Sequence, residues 1–148
     1  MALRYPMRPF MLVPLLLGAC ATLDPAPTAP AARDGLNVRN LETGECGLYV
    51  WTADARKRFI LFASIDDMAV FRDNIETPLV ATSDISDVRN ITFTDYLSRD
   101  VALTLREDEK IEGGVRYKAG SLAMVTDEGW DEIQPVVGLY ACQLFKTT

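Results

Sequence analysis

The chain has 148 residues, of which 49% are hydrophobic and 24% are charged, and its formal net charge at pH 7 is −6. This size allows one globular domain with appendages, and this hydrophobic content excludes an intrinsically disordered chain. The sequence contains no histidine, which excludes catalysis by an imidazole base and nearly all zinc chemistry. We therefore expect a protein that is not an enzyme and that needs no cofactor or metal ion.

The first 19 residues predict an export signal. Arg4 and Arg8 precede an apolar run at residues 10–19, which has the length of a signal-peptide core and is too short to span a membrane. The run ends in Leu-Gly-Ala-Cys at Cys20, which resembles the lipobox of bacterial lipoproteins. The resemblance implies that Cys20 is acylated and becomes the first residue after cleavage. An ordinary signal peptide, cleaved near Cys20 without acylation, is the alternative.

The residue after the lipobox cysteine bears on the membrane to which such a protein is sorted. In bacterial lipoproteins an Asp at this position commonly retains the protein in the inner membrane, and this chain has Ala21 there. The resemblance therefore implies a lipid anchor in the outer membrane, with the domain facing the periplasm. Cleavage would remove two of the 15 basic residues and none of the 21 acidic ones, which leaves a net charge of −8. That charge disfavours nucleic acid and favours a cationic protein as partner.

The segment after the anchor predicts a tether. Three prolines lie within residues 25–30, and they hold the backbone extended without apolar side chains to bury. We therefore divide the chain into a signal peptide at residues 1–19, an acylated cysteine and Pro/Ala-rich tether at 20–36, and a periplasmic β-domain at 37–148.

Short apolar segments recur from Cys46 onwards, and clusters of Asp, Asn, Gly, Ser and Pro separate them. None of them has a sustained helical period, so the pattern predicts an all-β domain. We expect about eight antiparallel strands, drawn from residues 46–51, 58–63, 68–72, 79–82, 90–97, 101–106, 115–118, 121–126 and 135–145.

The alternation within these segments predicts which side chains point inward. Residues 58–63 are apolar on both faces, as in a strand that is covered on two sides. Ile91, Phe93 and Leu97 are expected to face the core, and Gly120 is expected to form a turn. Either a small closed barrel or a sandwich accommodates such strands. Closure protects strand edges in a domain of this size, which favours the barrel.

Cys46 lies in the first expected strand and Cys142 in the last. An exported protein folds in an oxidising compartment, where two thiols that meet form a disulfide. We therefore predict a disulfide between Cys46 and Cys142, with two reduced, buried cysteines as the alternative.

Several polar and aromatic residues are candidates for a site but have simpler interpretations. The acidic residues 107–109 and 127–132 lack the spacing of a calcium loop, and we expect them to be solvated hairpin tips. Trp51 and Trp130 are able to stack on a sugar or a partner, although Trp51 is equally suited to cap the core.

Residues 113–117 read Gly-Gly-Val-Arg-Tyr and are followed by Gly120. This segment is similar to a loop of the membrane-bound inhibitors of C-type lysozyme, in which Ser-Gly-x-Arg-Tyr precedes a glycine turn and enters the lysozyme cleft. The ending Cys-Gln-Leu at Cys142 is also similar to that family's ending. The resemblance implies an eight-stranded barrel with a terminal-to-terminal disulfide. The candidate binding residues are Gly113, Gly114, Arg116 and Tyr117.

The chain also departs from that family, because Gly113 replaces the serine and the expected Trp-x-Lys-Gly after Gly120 is missing. Residues 113 and 114 also fit a simple hairpin turn. Two functions therefore remain open. One is a non-enzymatic lipoprotein whose β-domain binds an envelope protein or another envelope component. The other is a lysozyme inhibitor that inserts residues 113–117 into the lysozyme cleft.

Overall fold

A computed structural model of the protein describes residues 34–144. Cys20, the expected signal peptide and most of the expected tether lie outside the described residues. The described part contains eight strands and no helix. The strands are β1 (Cys46–Thr52), β2 (Phe59–Ser64), β3 (Met68–Arg72), β4 (Ile75–Ala81), β5 (Asn90–Asp95), β6 (Asp100–Ile111), β7 (Gly114–Val125) and β8 (Asp131–Cys142).

The strands form a closed antiparallel barrel. Each strand pairs with the next one along the chain, and β8 returns to pair with β1. The all-β prediction is therefore confirmed, and of its two architectures the structure has the barrel. Closure gives every strand two neighbours, which removes the unpaired edges that a domain this small would otherwise expose.

Apolar side chains at alternating strand positions fill the interior of the barrel. In β6, Val101, Leu103 and Leu105 are buried while the residues between them are partly exposed, which is the predicted alternation. The largest fully buried apolar side chains are Leu48, Val50, Leu61, Val70, Ile91, Phe93, Val101, Leu103, Leu105, Leu122 and Val136.

Residues 34–45 cover part of the outer surface of β1 and β2. The backbone N–H of Leu36 donates to the carbonyl of Phe59 at 2.8 Å, and Leu36 belongs to the apolar core, against which the partly buried Leu41 packs. Phe62 is 2% exposed and packs edge-on against Tyr49 on this outer face. This cover explains why both faces of β2 are apolar, as the sequence predicted.

The turn predicted at Gly120 is wrong, because Gly120 lies within β7 and pairs with Leu105. Its register with β8 shifts between Tyr117 and Ser121, so the glycine marks an irregularity in one long strand. The hairpin tip predicted at residues 107–109 is also wrong, because β6 continues through these residues to Ile111. These acids are exposed on the extended β6–β7 ribbon.

Two smaller expectations also need correction. Leu97 is 56% exposed rather than buried, because β5 ends at Asp95 and the chain turns before Leu97. The fourth strand begins at Ile75 and includes Pro78, whereas the sequence predicted a start after that proline. β5 pairs only with residues 79–81 of β4, so Pro78 has a single neighbouring strand, where a missing N–H is tolerated.

Candidate functional site

Residues 114–117 form the start of β7 rather than a projecting loop. Glu112 and Gly113 make a two-residue turn between Ile111 and Gly114, which pair with each other. The backbone of Gly113 has a φ of +78°, a conformation that glycine adopts without strain. The turn is exposed, so only its tip is available to a partner.

Arg116 and Tyr117 point to opposite faces of β7, as alternate residues of a strand must. Arg116 is exposed, and its guanidinium lies 3.8 Å from a carboxylate oxygen of Glu109. Tyr117 is 4% exposed and faces the barrel interior, where burial raises the pKa of its hydroxyl. The side chain of Arg116 is therefore exposed and that of Tyr117 buried, although both residues line one groove on this side of the barrel.

Gly114 is held by the neighbouring strand. A Cβ atom at this position would overlap the carbonyl oxygen of Tyr140. The backbone N–H of Cys142 donates to the carbonyl of Gly113 at 3.2 Å. Gly114 therefore permits the close approach of β7 to β8, whereas Gly113 contributes only a backbone hydrogen bond at this place.

Arg116 flanks a groove of about 400 Å³ on the outer surface of β1, β7 and β8. Trp51 and Leu139 line this groove, together with the cations Lys57 and Lys118. Trp51 stacks on Tyr49 with 6.0 Å between the ring centroids, so it extends the aromatic cluster of the outer face rather than capping the core. Trp130 is 75% exposed at the β7–β8 turn.

Cys46 and Cys142 form the predicted disulfide, which joins the first residue of β1 to the last residue of β8. The two cysteines are also register partners in the β1–β8 pair. The bond therefore fixes the strand pair that closes the barrel, next to the backbone hydrogen bonds that join Gly44 and Glu45 to Gln143.

A cavity of about 680 Å³ lies at this end of the barrel, beside Cys46. We call it the barrel mouth. Its floor consists of the buried residues Leu48, Ala63 and Ile91. Its walls include Ile65, Ile85, Val88 and Tyr140. A cavity with an apolar floor at a barrel end is a common place for ligands and partner side chains to bind.

The charged residues that line the barrel mouth are all acidic. They are Glu42, Glu45 and Asp66, and no described Lys or Arg lines the cavity. The Glu45 carboxylate accepts a hydrogen bond from the backbone N–H of Glu42 at 2.8 Å, which orders this part of the rim. The rim therefore produces a negative potential around an apolar floor.

The loop at residues 82–89 supplies Ile85 and Val88 to the barrel mouth. Neither residue was among the binding residues predicted from the sequence. Asp84 orders this loop by accepting from the backbone N–H of Ser86 at 2.9 Å. That backbone hydrogen bond holds the pKa of the Asp84 carboxyl below its usual value. The two apolar residues within an otherwise polar loop are the signal that could have identified them.

Within residues 34–144, no group of three or more His, Cys, Asp or Glu side chains is arranged to hold a metal ion. No helix in that part of the chain has the length and apolar character needed to cross a membrane.

Comparisons with protein-family models, with curated proteins and with solved structures found no match to this chain.

Proposed function

We propose that the protein is a non-enzymatic lipoprotein of the bacterial outer membrane, anchored through Cys20, whose barrel mouth binds another protein in the periplasm. The observation that carries the proposal is the barrel mouth, with its apolar floor and its rim of three acids. Cavities of this kind bind through apolar side chains, while a few polar groups fix orientation.

The charge of the rim defines the partner. A segment that combines an apolar side chain with Lys or Arg fits both the floor and the rim, because unlike charges across an interface favour encounter and register. The excess of acidic residues in the whole chain acts in the same direction at longer range. The partner is therefore a cationic protein, either a protein of the envelope itself or one that enters the periplasm, such as C-type lysozyme.

The exposed hydrophobic residue Ile65 supports the same function. It is 83% exposed at the β2–β3 turn and lines the barrel mouth. An exposed aliphatic side chain beside an apolar cavity gives a partner additional surface to bury. The burial of Tyr117, in contrast, favours this mode of binding over insertion of residues 113–117 into a lysozyme cleft.

The test is isothermal titration of the full-length protein in detergent with C-type lysozyme and with a short synthetic peptide that contains Leu and Arg. The variant Glu42→Gln/Asp66→Asn removes two charges from the rim. We expect it to weaken binding about tenfold at low salt and to reduce the dependence on ionic strength.

The matched control is Glu107→Gln/Glu128→Gln, which removes two exposed acids outside the barrel mouth. We expect it to bind nearly as well as the wild type. Equal weakening by both double variants would show that net charge alone drives binding. Weakening by Arg116→Ala alone would instead favour the β6–β7 hairpin as the binding element.

A further inference from the structure

A second cavity, of about 190 Å³, lies at the end of the barrel opposite the barrel mouth. Residues at the ends of β1 and β3 and at the starts of β2 and β8 line this cavity. The barrel mouth lies at the opposite ends of β1, β2 and β8. We call it the basal cavity. Arg58, Arg72, Glu132 and Gln134 are among the polar side chains that line it.

Arg72 is the unusual residue of this cavity, because a buried arginine normally has a full set of acceptors. It is 5% exposed and faces the barrel interior, two positions after the buried Val70. Its Nη1 donates to Asp95 at 3.2 Å. Its Nε and Nη2 atoms are buried and have no acceptor among the described residues.

Asp95 does not compensate for the charge of Arg72 by itself, because it is already shared. Its carboxylate accepts from the backbone N–H groups of Leu97 and Arg99 and from Nε of Arg99 at 2.7 Å. Asp95 therefore faces two guanidinium groups, of which that of Arg99 also pairs with Asp127. Burial and the neighbouring Arg99 lower the pKa of Arg72, and together they outweigh the opposing effect of Asp95, Asp73 and Asp127.

The two unpaired atoms of Arg72 lie on one edge of the guanidinium. Nε–H and one N–H of Nη2 point in the same direction, and this edge matches the two oxygens of a carboxylate. Nε of Arg58, which lines the same cavity, is also buried without an acceptor. Two arginines that line one cavity therefore each have unpaired donors.

We propose that the basal cavity binds a small monocarboxylate, which accepts two hydrogen bonds from the Nε/Nη2 edge of Arg72 and a further one from Arg58. The volume suits such a ligand, since a water molecule takes about 30 Å³ in the liquid. Asp73 and Glu132 also line the cavity and repel multiply charged anions such as phosphate. Ile60 and Met124 provide apolar contacts for a short aliphatic chain.

The test is a titration of the full-length protein in detergent with sodium acetate, balanced by sodium chloride to constant ionic strength. Nitrogen-15 NMR of the arginine Nε–H groups reports binding directly. We expect a saturable shift of the Arg72 resonance with acetate and none with chloride. Arg58→Gln should weaken acetate binding about tenfold, because it removes a charged donor.

Arg72→Lys keeps the charge beside Asp95 but loses the paired edge, and it should abolish the rise in Tm that acetate produces in the wild type. Arg106→Gln is the matched control, because Arg106 is exposed on β6 and does not line the cavity. If Arg72→Lys does not fold, Arg58→Gln alone decides. An Arg72 resonance indifferent to acetate, or sulfate binding as tightly as acetate, would overturn the proposal.

Discussion

At the scale of single residues, the two glycines of the β6–β7 hairpin have different reasons to be glycine. Gly113 has open space around it but a φ of +78°, whereas Gly114 has an ordinary φ and no space for a Cβ. The resemblance to the lysozyme inhibitors treats both glycines as parts of a binding loop and does not separate these two reasons. The backbone geometry separates them, and the positive φ also makes serine unfavourable at position 113.

We expect Gly113→Ala to lower the free energy of unfolding by about 1 kcal/mol, because alanine resists a positive φ. Gly114→Ala should cost more, up to about 3 kcal/mol, because β7 and β8 must separate to admit the methyl group. Urea denaturation of both variants measures the difference. Equal losses would contradict the close approach of Gly114 to Tyr140.

Asp95 is the buried acid on which the Arg72 and Arg99 pairs depend. Burial by itself would raise the pKa of its carboxyl, but hydrogen bonds from Arg99 and Leu97 outweigh burial and lower it. A carboxyl with a lowered folded-state pKa contributes stability that is present above its unfolded value of about 3.9. That contribution is lost as the pH falls below about 4 towards the folded-state pKa.

We therefore expect Asp95→Asn to lower the free energy of unfolding at pH 7 by about 3 kcal/mol, because it leaves Arg72 buried without a counter-charge. The variant should also lose less stability than the wild type between pH 4 and pH 2. Asp100→Asn, an exposed neighbour, should change stability by less than about 0.5 kcal/mol. Urea denaturation across this pH range is the measurement. If the free energy of unfolding fell equally with pH in the wild type and in Asp95→Asn, the lowered pKa of Asp95 would be refuted.

At the scale of elements, residues 34–45 act as part of the folded domain although they contain no strand. Arg39 forms ion pairs with Asp67, at 2.7 Å, and with Glu76, and thereby connects this segment to β4 and the β2–β3 turn. Leu36 is 8% exposed, while Val38 is 83% exposed two positions later. The segment therefore buries the side chain of Leu36 and leaves that of Val38 in solvent.

Leu36→Ala should lower the free energy of unfolding by about 2 kcal/mol, because it removes a buried side chain from the cover over β2. Val38→Ala is the matched control and should cost less than about 0.5 kcal/mol. Thermal or urea unfolding of the two variants tests the difference. A similar small effect for both would mean that the segment does not contribute to the core.

The disulfide belongs to this scale because it joins β1 to β8 across a separation of 96 residues. Chain-entropy arguments assign a loop of that size up to about 4.7 kcal/mol. We expect Cys46→Ala/Cys142→Ala to lose several kcal/mol of stability. In a Cys20→Ser background, thiol labelling of the unfolded, unreduced protein should find neither cysteine reactive, and labelling of both would exclude the bond.

At the scale of the whole molecule, the proposed function depends on where the barrel is held. The lipobox resemblance at residues 17–20 predicts diacylglyceryl modification of Cys20 and loss of residues 1–19. Mass spectrometry of the N-terminal peptide from a bacterial host should show both changes. Cys20→Ser should remove the modification, and an unmodified wild-type terminus would contradict the anchor.

The two ends of the barrel differ in charge as well as in shape. The barrel mouth has three acids and no described base, whereas the basal cavity has two arginines with unpaired donors. The proposed partner and the proposed carboxylate therefore bind at opposite ends. Rim variants at Glu42 and Asp66 should leave acetate binding unchanged, so each proposal is able to fail without the other.

The sequence alone determined the class of the fold, most of its strands and the pairing of Cys46 with Cys142. These features follow from local patterns, because period-2 alternation needs only neighbouring residues, and the disulfide needed only two cysteines and an oxidising compartment. The sequence left barrel and sandwich open, because closure depends on the pairing of β1 with β8, whose residues are far apart in the chain.

Only the tertiary structure decided where the candidate sites lie. Gly120 carries a local turn signal, but long pairings with β6 and β8 keep it within a strand. Tyr117 faces inward because the register of β7 places it opposite Gly138. The barrel mouth and the unpaired edge of Arg72 arise from residues on several strands and loops. No local sequence pattern predicts such sites, because closure of the barrel brings together residues that are far apart in the chain.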